Sequence, residues 1–349
     1  MFLFVITLLK ILFIVLGVVL TIGSLLIWAE RKQSSMIQDR IGPNRASVLG
    51  LRLYGLIHLP ADGLKMLFKE DFTPERVERF IFEIAPCLSL FPALVTIAVI
   101  PFGPDISWAG HTIKLQVADV SIGILYMFAL SGIGIYGVFL GAWASNNKWA
   151  LLGGLRAAAQ MLSYELVLGL SLVPALLYYG SLRMSEIVAA QTGYWLGFVP
   201  KWGIFPLLPA FLVFLIAAVA ETKRAPFDLP EGESEIIGYF IEYSGLKFGM
   251  FFLAEFMEVV VLAAVLTTFF FGGWHFPWID GLVDSQWIRA ILGIAAFIVK
   301  ILVLCYLQLL IRWSLPRFRY DQLMRLCWKN LLPIGLFLIF AYASALLVL

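Results

Sequence analysis

Polar and apolar positions in this chain are segregated into long blocks. Eight apolar stretches, residues 2–29, 80–101, 118–143, 155–179, 204–220, 248–271, 287–311 and 331–349, approach or exceed the length needed to cross hydrocarbon, which for a helix is about 20 residues. The pattern predicts an all-α polytopic membrane protein of about eight transmembrane helices, in a single membrane domain over residues 1–349. The fourth and fifth stretches have the least definite ends, because one contains Arg156, Gln160 and Glu165 and the other is short and begins through Pro206 and Pro209. The first stretch is too long for a signal-peptide core and no small-residue cleavage pattern precedes Glu30-Arg31-Lys32, so it is expected to persist as a helix.

Lys and Arg fall mainly in alternate connections. Nine lie between the first and second stretches, two near 144–154 (Lys148 and Arg156), three in 221–247 and five in 312–330. The positive-inside rule therefore makes 30–79, 144–154, 221–247 and 312–330 the cytoplasmic loops and puts both termini outside. Within the first of them Leu53, Ile57, Ala61, Leu64 and Phe68 recur at steps of three and four, with His58, Asp62, Lys65 and Lys69 one position behind. That spacing predicts an amphipathic helix lying on the membrane surface, kinked near Pro60. Thr73-Pro74-Glu75 reads as the capped start of the helix that feeds the second span.

Composition strengthens the membrane assignment. Hydrophobic residues are 61% of the 349, against about 45–50% in soluble proteins, and charged residues only 14%, at a mean hydropathy of +0.93. A formal charge of +2 excludes a strongly basic nucleic-acid binder. Cys87, Cys305 and Cys327 have no paired spacing, and His58, His111 and His275 form no in-helix pair. Neither an iron–sulfur, zinc or haem site nor any other metal site is legible, and no redox cofactor is expected on this chain.

With charge so scarce, its placement becomes informative. A charged side chain at the centre of a span costs about 2.5–3.5 kcal/mol on insertion scales. Glu165, Glu255, Glu258 and Lys300 fall inside the predicted spans, Glu221 closes the fifth at its cytoplasmic boundary, and Glu83 and Asp119 stand early in the second and third. Carboxyls on several helices suggest a proton path, the alternative being ion pairs that only hold helices together, for instance Lys300 with a carboxylate. For Glu83, Asp119 and Glu258 an interfacial or capping role fits equally well. Gly137 and Gly141 form a GxxxG pair read as close helix packing. The loop from Glu221 to Glu242 carries a net −4 on the positive side of the membrane. Its Pro226 and Pro230 and its apolar Phe227, Ile236, Ile237, Tyr239 and Phe240 predict a folded loop seated against a partner, beside basic loops that add to a docking surface.

Several segments resemble one known family. Glu30-Arg31-Lys32 with Gln38, Arg40 and Gly42-Pro43-Asn44, then Ala220-Glu221-Thr222 with Pro226-Phe227-Asp228-Leu229 and Glu231-Gly232-Glu233-Ser234-Glu235, and finally Pro316-Arg317-Phe318-Arg319-Tyr320-Asp321-Gln322-Leu323-Met324 carry the resemblance. Trp143-Ala144-Ser145-Asn146-Asn147 and Ser163-Tyr164-Glu165 extend it. Together they are similar to the quinone-site membrane subunit (H-type) of bacterial proton-translocating NADH:quinone oxidoreductase, respiratory complex I. The resemblance implies a translocase subunit of the bacterial inner membrane, without catalytic residues of its own. It implies that Glu30, Arg31, Arg40, Arg45, Asp228, Glu231, Glu233 and Glu235 line or shape a chamber for a lipid quinone, with the amphipathic helix flanking its mouth. Glu165, Glu221 and Glu255, together with the intramembrane Glu258 and Lys300, are the expected relay. FMN and iron–sulfur clusters are expected in partner subunits: redox-arm subunits, including one with the terminal cluster, and further membrane-arm subunits. Two alternatives stay open on sequence, the equivalent subunit of a membrane-bound hydrogenase or ferredoxin-oxidising complex, and a stand-alone proton-coupled transporter.

Overall fold

A computed structural model describes residues 2–108, 110–195, 197–232, 235–277 and 285–348. Among these, helices account for nearly all regular structure: α1 (Phe2–Ile11), α2 (Thr21–Ile37), α3 (His58–Phe68), α4 (Arg79–Thr96), α5 (Gly123–Ala144), α6 (Lys148–Tyr179), α7 (Met184–Ala190), α8 (Leu208–Glu221), α9 (Gly245–Phe270), α10 (Gln286–Ser314), α11 (Tyr320–Arg325) and α12 (Leu332–Val348). A π-helical stretch, Leu12–Leu20, joins α1 to α2, and another, Leu326–Leu331, joins α11 to α12, so each pair runs as one rod. Seven helical rods are long and apolar enough to cross a membrane, and α8, at 14 residues, is a shorter eighth. The chain is an all-α polytopic membrane protein. Two small antiparallel pairs, β1 (Ile106–Trp108) with β2 (His111–Ile113) and β3 (Tyr194–Trp195) with β4 (Val199–Pro200), complete the regular structure among the described residues.

Several boundaries differ from the sequence expectation for local reasons. The connection expected over 144–154 shrinks to 145–147, because the Asn147 side chain accepts from the Trp149 amide at 2.9 Å and starts α6 seven residues early. Pro60 does not kink a longer helix. It sits in the first turn of α3, where its missing N–H is harmless, and the residues before it are turned by Tyr54 at positive φ. Thr73-Pro74-Glu75 caps no helix, since α4 begins at Arg79 after Glu78.

Packing follows small residues. A Cβ built on Gly137 would lie 2.5 Å from the Ser89 nitrogen of α4, and one on Gly141 would meet Phe251 at 3.0 Å and Ala85 at 3.2 Å. The GxxxG pair thus lets α4 and α5 approach backbone to backbone. Alongside, α6, α8 and α9 form the buried centre through Tyr164, Phe214, Phe256 and Phe270, among others.

The segment after α8 departs most from expectation. Gln160, well inside α6, donates to the carbonyls of Ala220 (2.8 Å) and Phe227 (2.9 Å) and so ties that segment deep among the helices. Lys223 is 1% exposed and Arg224 7%. Glu221 therefore lies buried inside the bundle, beside Glu258, at the end of α8. Fourteen helical residues rise only about 21 Å, so α8 is shorter than the seven rods, and the segment after it packs against α6.

Candidate functional site

Two clefts share Phe252 of α9 as a lining residue. One, about 490 Å³, lies among α2, α3, α4 and α9 and is walled by apolar side chains such as Ile27, Leu67, Leu90 and Met250. Arg31 and Asp62 also line it, and they pair at 2.5 Å between α2 and α3. The other, about 990 Å³, is lined by Asp228, Glu231, Phe252, Glu255, Arg312 and Arg317 and by three further apolar residues of the loop and α9. Phe252 borders both.

Ion pairs between distant segments frame the charged cleft. Glu30 on α2 accepts from Arg224 at 3.0 Å and from Arg312 of α10 at 2.8 Å. Arg317 holds Asp228 at 2.9 Å, and Arg156 of α6 holds Glu235 at 2.9 Å. Two of the loop's carboxylates, Asp228 and Glu235, thus pair with basic residues of distant segments of this chain. The Arg224 guanidinium also stacks 3.7 Å from the Phe256 ring centroid, a cation–π contact that offsets part of the cost of burying it. Burial pushes the Glu231 carboxyl well up, reinforced by nearby Glu255. It also raises Asp228 to about 6 despite Arg317 and Arg312. For Lys223 burial acts downward, but Glu258, Glu255, Glu231 and Glu221 outweigh it and the net direction is up, so the ammonium stays charged.

Behind the cleft the carboxyls continue inward. Glu255 accepts from the Tyr239 hydroxyl at 3.0 Å and lies 3.9 Å from Lys223 Nζ. One helical turn on, Glu258 lines a small, largely apolar cavity of about 50 Å³ together with Glu221, Ser89, Thr96 and Ser131. Among the described residues Glu221 Oε2 and Glu258 Oε2 have no hydrogen-bond partner there. Ser131 also lies beside Glu165, which lines an outward-facing cleft of about 620 Å³ between α5 and α6. The carboxyls of Glu231, Glu255, Glu258, Glu221 and Glu165 therefore form a succession through neighbouring cavities, from the charged cleft to the cleft between α5 and α6.

Not every expected residue joins it. Arg40 bonds Gln38 at the surface (2.7 Å) and Arg45 is exposed, and neither lines either cleft. Glu233 lies outside the described residues. Lys300 donates to the carbonyls of Phe271 (2.8 Å), Gly273 (2.9 Å) and His275 (2.7 Å) and sits 4.7 Å above the Trp202 ring centroid. Among the described residues it pairs with no carboxylate, and it stands beside the far end of α9, about 20 Å along that helix from Glu258. Glu83 and Asp119 are ion-paired near helix ends, with Lys247 and Lys114 respectively, both at 2.5 Å. Among the described residues no three or more His, Cys, Asp or Glu are grouped to hold a metal.

A family profile described as NADH dehydrogenase matches residues 9–343. The chain belongs to this family. It is 47% identical over 320 residues to an H-type NADH-quinone oxidoreductase subunit of Geobacter metallireducens, covering 91% of this chain and 90% of that one. It is 43% identical over 335 residues to the H-type subunit of Syntrophotalea carbinolica, covering 96% and 94%. The H-type subunit of Flavobacterium psychrophilum is 43% identical over 312 residues, 88% of each chain. For this family member the structure adds Gln160, Lys223, Arg224, Tyr239, Phe252, Ser131 and Arg312, which sequence reasoning did not single out as site residues. Lys223 and Arg224 had a usable signal, two cations in a segment otherwise acidic. Ser131 and Phe252 had none, since each looks like ordinary span composition.

Proposed function

We propose that this chain is the membrane subunit of a bacterial inner-membrane NADH:quinone oxidoreductase, forms part of its quinone chamber, and couples quinone reduction to proton translocation through buried glutamates. The carrying observation is an apolar cleft and a charged cleft that share Phe252 in their walls. A lipid quinone is an apolar tail with a polar, redox-active head, and an apolar cleft beside a charged one suits both parts. The amphipathic α3 flanks the apolar cleft, which suits loading from the bilayer. Electrons reach the head from redox-arm partner subunits that carry FMN and iron–sulfur clusters, and the succession of carboxyls from Glu231 to Glu165 passes the resulting proton demand toward other membrane-arm subunits. Both termini are on the outer side in this reading.

Arg31 tests the chamber. Arg31→Ala removes the Asp62 partner from the mouth of the apolar cleft, and the expected result is a several-fold higher KM for quinone in the assembled complex, with NADH oxidation by an artificial acceptor unchanged. An unaltered quinone KM counts against the assignment.

Asp228 gives the pH dependence. Its value stands above the ordinary carboxylate range near 3.8, so its charge opposes folding of the loop above pH 6, and that penalty is relieved as pH falls from about 6 toward 3.8. The same protonation removes one half of the Arg317 pair. Quinone turnover should therefore show a step near pH 6 that Asp228→Asn lacks, measured as initial rate across pH 5–8 in membranes at fixed salt.

A further inference from the structure

The inner wall of the charged cleft contains two carboxyls in direct contact. Glu231 and Glu255 both line the cleft and lie within hydrogen-bonding reach of each other. Two carboxylates at that range do not both stay ionised, so the pair holds one proton between them. Their surroundings are unequal. Glu255 Oε1 receives the Tyr239 hydroxyl at 3.0 Å and faces Lys223 Nζ at 3.9 Å, whereas Glu231 Oε1 is buried with no donor.

The remaining charged groups facing the pair do not remove the inequality. Arg224 and Arg312 are engaged by Glu30, and Arg317 by Asp228. Glu258, one turn along α9, brings only a third carboxyl to the same neighbourhood. Tyr239 itself is fixed. Its ring is fully buried and packs edge-to-face on Phe251 (5.5 Å) and Phe240 (5.0 Å), so its hydroxyl is aimed by the core and not by the cleft.

We propose that Tyr239 is a positioning residue: by donating to Glu255 it keeps the shared proton on the loop carboxyl Glu231 and the negative charge on the helix carboxyl Glu255. This rests on the quinone-chamber reading and deepens it. The proton on Glu231 is then the one released to a base arriving in the cleft, while the charge on Glu255 is held toward Lys223 and the interior. Loss of that proton leaves two charges in contact, and the repulsion is felt one turn away at Glu258.

Tyr239→Phe in the assembled complex keeps the ring and its packing and deletes only the donor. Without it the anion at Glu255 is less favoured and the pair holds its proton more tightly, so the alkaline limb of NADH:quinone turnover should move to higher pH by about one unit. Glu231→Gln, which removes one member of the pair, should lower turnover and flatten the residual limb. Tyr243→Phe is the control for a merely structural effect, because the Tyr243 hydroxyl donates to the Gly141 carbonyl at 3.3 Å and should leave the limb in place. An unshifted limb in Tyr239→Phe, or an equal shift in Tyr243→Phe, overturns the inference. Where Tyr239→Phe assembles poorly, a fluorotyrosine placed at 239 supplies a stronger donor of nearly the same shape and should shift the limb to lower pH; no shift overturns the inference equally. If Glu231→Gln and Glu255→Gln keep full coupled turnover, the chamber reading itself fails. If they lose it while the limb ignores Tyr239, only the role of Tyr239 fails.

Discussion

Glu255→Gln is expected to assemble and to lose proton-coupled quinone turnover by roughly 10²-fold, the size of effect associated with removing a proton-transferring group. The amide matches the carboxylate in shape and still accepts from Tyr239 at the position now 3.0 Å away. It cannot carry the proton shared with Glu231. Removing one member of a buried ion pair ordinarily costs several kcal/mol because the partner charge is stranded. Here Lys223 keeps Glu258, Glu231 and Glu221 as neighbours, so the fold should survive. Proton uptake by inside-out vesicles driven by NADH, normalised to the amount of assembled complex, measures the effect. Full proton yield per NADH in a normally assembled variant would remove Glu255 from the relay.

Gly137→Leu should prevent accumulation of the assembled complex. The added Cβ alone would sit 2.5 Å from the Ser89 nitrogen and 2.8 Å from the Leu88 carbonyl carbon, and these are backbone atoms of α4 that no rotamer change can move aside. The helices must separate, at a cost of more than about 3 kcal/mol, toward the upper end for overpacked cores. Separation would also displace Ser89, Pro92 and Thr96 from the small cavity that Glu221 and Glu258 share. Gly134→Ala on the same helix is the matched control, because nothing lies within 4 Å of the Cβ it introduces. Native electrophoresis of solubilised membranes compares the two. Equal amounts of intact complex would show that α4 and α5 need not meet at Gly137.

Several carboxyls of the candidate site are legible in the sequence. Glu165, Glu255 and Glu258 stand out because a bilayer penalises charge, and the structure gathers them with Glu221 and Glu231 into one succession. Lys300 stood out for the same reason and does something else, closing the carbonyls that follow α9, because intramembrane charge reports cost and not partnership. Glu221 was visible as the residue that closes the fifth span, but its burial was not. That burial depends on Gln160 holding the following loop against α6, which is not a property of the local sequence.

The sequence by itself determined that the chain is helical and membrane-embedded, roughly where its spans lie, and which carboxyls are costly enough to need a purpose. Those are one-dimensional properties: an apolar run either has the length to cross hydrocarbon or it does not, and a charge within such a run is buried whatever its neighbours. Only the tertiary structure decided which charges meet. Glu30 and Arg224 are 194 residues apart and pair at 3.0 Å, Asp228 finds Arg317, and Tyr239 aims its hydroxyl at Glu255. In a low-dielectric interior such pairings set where a proton rests, and they arise from the packing of whole helices against the loop that follows α8.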